Sequence, residues 1–170
     1  MPADLEPPYA EVEGDSLNWA LPILGELAGT IGSSVTFEAL ATELGGFYEP
    51  KTKRIVVNDR RSVNAQAATL IHELAHALVR HDRQPEDAAL SYAEEELVVE
   101  SVAYTVCGAF GLDAAGAAVP YLASWAETAE LEAIEQTAKL IDRLARRIED
   151  PLLTGASDAE APEESVDEAA

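Results

Sequence analysis

Two of this chain's three histidines, His72 and His76, stand four residues apart with Glu73 directly after the first. They sit in the stretch T-L-I-H-E-L-A-H-A-L-V-R, an apolar run with helical periodicity and no proline before Pro85. On a helix, positions i and i+4 share a face, so both imidazoles can reach one ion. Glu73 then lies beside them, placed to take a proton from a water activated there. Two histidines that merely pack or cap a helix are the alternative reading. The spacing around a glutamate points instead to a zinc site (Zn2+). Iron or manganese can occupy similar ligands, but two imidazoles and a carboxylate suit zinc.

Such a site needs a third protein ligand, with one position left open for water. A histidine six residues after His76, with a glycine between, would supply it from the same segment. Val79 and Asp82 occupy those two places. Asp82 could coordinate, but without the glycine the chain is not expected to turn there. The acidic stretch Y-A-E-E-E-L-V-V-E-S-V-A-Y at 92–104 is the better source. Glu100 is set among Val99, Val102, Ala103 and Val106, where a carboxylate is costly unless paired or metal-bound. It is the leading choice. Glu96, one turn earlier on the same face, is the alternative, as ligand or as support for one. Glu94 and Glu95 read as an exposed first turn favoured by the helix dipole. His81 reads as a partner of the helix C-terminus.

These residues must be positioned by a fold that the pattern outlines. Leu17, Ala20, Leu21, Leu24 and Leu27 mark an amphipathic helix over about 16–28, with Pro22 implying a kink or a later start. Val35–Phe37, Phe47-Tyr48 and Arg54–Asn58 read as strands of a small, mostly antiparallel sheet, with Tyr48 and Ile55 flanking a hairpin. Ser62 or Asn64 is placed to cap the motif helix, which runs to Val79 or His81. A polar loop surrounds Pro85. A helix over about 92–110 follows, then one broken near Pro120, then one over about 128–148 ended by Pro151. The class is α+β.

The composition sets further bounds. One domain fits 170 residues. The chain carries 32 acids against 11 bases, and 13 of those acids fall in residues 1–15 and 149–170, which hold no Lys or Arg. Residues 1–14 therefore read as a flexible acidic leader, 15–150 as the folded domain and 151–170 as a disordered acidic tail. A net charge of −21 disfavours direct binding of nucleic acid. Cys107 is alone in an apolar stretch, so it forms no internal disulfide and reads as a buried thiol. No signal-peptide pattern or membrane-length apolar run is present, and a cytoplasmic location is expected.

The blocks T-L-I-H-E-L-A-H-A-L-V, E-E-L-V-V-E-S-V-A-Y and P-Y-L-A-S-W (120–125), with the upstream G-G-F-Y-E-P-K-T-K-R-I-V-V-N, resemble the C-terminal metallopeptidase domain of ArdC-type antirestriction proteins. That domain is related to the ImmA/IrrE zinc peptidases. The resemblance covers about residues 30–148 and implies a zincin-like fold: the small sheet, the motif helix, a glutamate-bearing helix and C-terminal helices. It implies His72, His76 and Glu100 as ligands, Glu73 as general base, and a protein or peptide substrate. Tyr121 and Trp125 match the family's post-helix segment, where they read as a cleft wall or a phenol polarising the substrate carbonyl, or else as aromatic core. ArdC-type proteins also carry a single-stranded-DNA-binding domain; only a short acidic segment precedes the peptidase-like part here, so DNA binding is not expected. A zinc-stabilised regulatory module without proteolysis, and an acidic DNA mimic, are the competing expectations.

Overall fold

The computed structural model of the chain describes residues 12–113 and 118–160. In chain order the elements are α1 (Ala20–Thr30), β1 (Ser34–Glu38), β2 (Gly46–Glu49), β3 (Arg54–Asn58), α2 (Val63–His81), α3 (Tyr92–Ala109), α4 (Ala118–Thr128) and α5 (Leu131–Glu160). Residues 1–11 of the leader expected at 1–14, and residues 161–170 of the expected tail, lie outside the described residues. Among those described, no helix is long and apolar enough to cross a membrane.

Pro22 delays α1 rather than kinking it. It falls at the third helical position, where a missing N–H removes no intrahelical bond. The sheet is mixed, not mostly antiparallel. Its order is β1-β3-β2, with β2 antiparallel and β1 parallel to β3. The reason lies in burial: Ile55, Val56 and Val57 are fully buried, so β3 takes the centre and leaves β1 and β2 as edges. The expected hairpin is present, with Tyr48 opposite Ile55.

Asn58 holds the chain that crosses from β1 to β2. Its amide donates to the carbonyls of Ala41 (3.2 Å) and Leu44 (2.8 Å), and its Oδ1 accepts from Leu40 N and Arg60 N. A buried amide with both ends satisfied fixes a loop that has no regular structure of its own. At Gly46 the strand is pressed between β3 and α2: a Cβ would collide with the Val56 carbonyl of β3 and with the Thr69 side chain of α2. The sheet is thus seated directly on the motif helix.

Ser62 caps α2, its hydroxyl accepting from Ala65 N (3.1 Å). Asn64 ties the helix start to the chain ahead of α1 by accepting from Leu17 N (2.9 Å). Thirteen residues of α2 are buried, among them His72 and Glu73, which makes it the central element. Ser91 and Glu94 form a reciprocal capping box at the start of α3. Thus α3 begins where its sequence says it should.

Pro151 does not end the last helix. α5 continues through it to Glu160. The proline forfeits one backbone bond. The stripe Leu144, Ile148 and Leu152 offsets this by burying itself in the common core with α1 and α3. At Gly155 the packing against α1 is tight enough that a Cβ would strike Ile23.

Candidate metal centre

α2 and α3 pack side by side, and the faces that meet carry the ionisable groups. His72 and His76 stack as expected for one helical turn, with ring centroids 5.0 Å apart and planes at 69°. Their Nε2 atoms turn toward α3 and share one carboxylate. Glu96 Oε1 lies 3.1 Å from His76 Nε2, and Glu96 Oε2 lies 3.9 Å from His72 Nε2. Ligand atoms of His72, His76 and Glu96 all fall within 4.8 Å of one another, close enough to surround a single ion.

The other ring nitrogens face two further carboxylates of α3. His76 Nδ1 donates to Glu95 Oε1 at 2.9 Å, and His72 Nδ1 lies 3.1 Å from Glu100 Oε1. An imidazole that gives its Nδ1 proton to a carboxylate presents the Nε2 lone pair inward, with its ring fixed. Arg80, one turn after His76, reaches both oxygens of Glu95 at 3.4 Å and steadies that partner.

Glu100, the leading third ligand by sequence, is therefore placed at the outer nitrogen of His72, while Glu96 stands at the convergence of both Nε2 atoms. Glu95 is no exposed first-turn acid; its side chain is 14% exposed and turned onto His76. Sequence reasoning missed it, although Glu94 being taken by the capping box leaves Glu95 and Glu96 as the next acids free to reach α2. Asp82 is drawn away from the site, pairing with Arg147 of α5 at 3.1 Å and with His81 at 2.8 Å. His81 is thereby at the end of α2, as expected. Cys107 is buried, and burial pushes its thiol up to about 12, so it is inert. Tyr121 falls within α4, but its side chain lies outside the described residues; Trp125 is half-buried on the same helix.

The electrostatics follow from the crowding of carboxylates. Burial raises Glu73 above the usual carboxylate range; the neighbouring histidines counter this, and Glu96 and Glu100 add to it. Burial alone would lower His76, yet the hydrogen bonds it donates to Glu95 and Glu96 and the charge of Glu73 outweigh it and push the ring up to about 9. Glu96 is also desolvated, which raises it, but its bond to His76 and the charges of both rings hold it below its ordinary value. Glu95 is lowered by its bond to His76, against a smaller opposing effect of burial. The crowding thus raises the proton affinity of the His76 ring and of Glu73, while the two carboxylates bonded to His76 are held toward their charged form.

Residues 28–146 match the zincin-like metallopeptidase family. The chain belongs to that family. A relative from Bacillus anthracis, an uncharacterized protein, is 31% identical over 118 residues, which span 67% of this chain and 19% of that protein. The solved structures of the antirestriction protein ArdC from plasmid R388 are also similar. The Mn(II)-bound form shares 23% identity with a TM-score of 0.46, covering 82% of this chain and 52% of ArdC. The metal-free form shares 24% with a TM-score of 0.47. This member of the family thus spans about a fifth of the bacillar relative and about half of ArdC.

Proposed function

We propose that this chain is a zinc-dependent peptidase acting on a protein or peptide partner, with His72, His76 and Glu96 as the ligands. The observation that carries the reading is the convergence of two Nε2 atoms and the Glu96 carboxylate beside the buried Glu73. The donor set fits a small divalent cation: two neutral nitrogens, one carboxylate, and outer partners for both rings. When bound, such an ion supplies Lewis-acid activation of water and polarisation of the scissile carbonyl. Glu73 accepts the proton of the attacking water and returns it to the leaving amine. Burial raises its proton affinity, the direction that favours a group which must both take and return a proton. Glu95 and Glu100 keep the rings oriented through the cycle, and Arg80 holds Glu95.

The test is hydrolysis of an unstructured protein substrate by zinc-loaded chain, followed by mass spectrometry of the fragments. Cleavage that stops on chelation and returns with zinc is the expected result. A fully loaded chain that cleaves neither unstructured protein nor candidate partners would leave a metal-stabilised binding module in its place.

Loading itself is linked to pH. Ion-free His76 keeps its proton up to about pH 9, while a histidine ligand must be neutral. The proton and the ion therefore compete below that pH and cease to compete above it. Titration calorimetry at pH 7.5 in buffers of different ionisation enthalpy should show about one proton released per ion bound. Affinity should rise by about tenfold per pH unit toward pH 9 and then level off. Binding without proton release would show that His76 is not a ligand.

A further inference from the structure

His72, His76 and Arg80 follow one another at four-residue spacing, so all three lie on the face of α2 that meets α3. The two rings face the metal centre; Arg80 is a fixed cation with no part in moving a proton. Among the described ion pairs, no other Lys or Arg reaches an acid of this centre. Its hold on Glu95 is loose. Only Nη2 touches the carboxylate, at 3.4 Å from each oxygen, whereas a good N–H···O contact spans about 2.7–3.2 Å. Glu95 makes its shorter bond, 2.9 Å, to His76. The Arg80 side chain is 51% exposed, and its described contacts use one corner of a guanidinium that carries several more donors.

Position decides what those donors can meet. Arg80 lies about 6 Å beyond His76 along the helix axis, and a helical side chain leans back toward the N-terminus. An extended peptide advances about 3.3–3.6 Å per residue. A peptide laid along α2 with its scissile bond at the ion therefore carries a neighbouring residue past the guanidinium. We propose that Arg80 is a specificity residue that receives a substrate carboxylate within about two residues of the scissile bond. That carboxylate is an Asp or Glu side chain or the peptide's own C-terminus, either of which matches the planar guanidinium fork. The net charge of −21 does not prevent this, because charges farther away than about 8–10 Å are screened and a direct contact is not.

Recognition by Arg80 rests on the peptidase reading, and the test separates the two. Zinc-loaded protein is given acetylated octapeptide pools with one position fixed as Glu, Gln or Lys, ending in a free acid or an amide. Relative kcat/KM is measured at equal zinc occupancy, and mass spectrometry locates each cut. The wild type should cleave Glu pools about tenfold faster than Gln pools when the fixed residue lies within two of the cut. Arg80→Gln should bring that ratio to about one, and Arg80→Glu should favour Lys. A rate loss common to all pools, as from a freed Glu95, cancels in the ratios. A preference for free-acid over amide pools that Arg80→Gln abolishes would identify the C-terminal carboxylate as the group received. Ratios that neither variant changes would overturn the proposal. Fluorescent versions of the pools are also bound to zinc-loaded Glu73→Gln, alone and combined with Arg80→Gln. If the wild type cleaves nothing, Glu-selective binding that needs Arg80 would remove the peptidase reading and keep the carboxylate site. No cleavage and no such selectivity would overturn both.

Discussion

Glu73→Gln should bind zinc as tightly as the wild type and lose peptide hydrolysis by about 10³-fold or more, the upper part of the range for a general acid–base. Glutamine matches glutamate in size, so the buried position beside His72 is refilled without a cavity. It cannot take a proton from water or pass one to an amine. The substitution also removes a desolvated charge from a crowded site, so the variant should be at least as stable as the parent. That direction separates lost chemistry from lost structure. Hydrolysis at the wild-type rate would mean that another group moves the proton.

The second large effect concerns α3. Glu96→Ala should weaken zinc binding by more than about 100-fold, beyond what loss of an outer partner causes. Glu100→Ala should weaken it only about 10–100-fold, because it releases a ring and leaves the ligand set complete. Both carboxylates are partly exposed, at 32% and 19% of the side chain, so neither truncation opens a core cavity. The comparison is read from competition against a zinc-binding dye. Equal losses, or a larger one for Glu100→Ala, would return Glu100 to the ligand set.

That pair also marks the limit of what the sequence reveals. The spacing of His72 and His76 is a property of one helix, so their shared face was legible, as were the Ser62 cap and the Tyr48–Ile55 pairing. Glu96 and Glu100 share a face too, separated by about 40° around the axis. Choosing between them requires the point at which α3 crosses α2, and that is set by packing across the two helices. The apolar neighbours of Glu100 pointed to a partnered carboxylate, and in the structure it faces the outer nitrogen of His72. Glu95 was hidden for the same reason. The parallel β1–β3 pairing was illegible because a strand's own pattern does not encode its neighbour's direction. Pro151 misled because the local rule for proline is overridden by the burial of Leu152 on the far side of it.

The proposed ligand set places an ion between His72 Nε2, His76 Nε2 and Glu96, beside Glu73. Crystals of zinc-loaded protein, measured on both sides of the zinc absorption edge, test it most directly. We predict one anomalous peak at about 2.0–2.2 Å from those three atoms, with Glu95 and Glu100 on the outer ring nitrogens. A peak held by Glu100, or none at the His72–His76 pair, would contradict it.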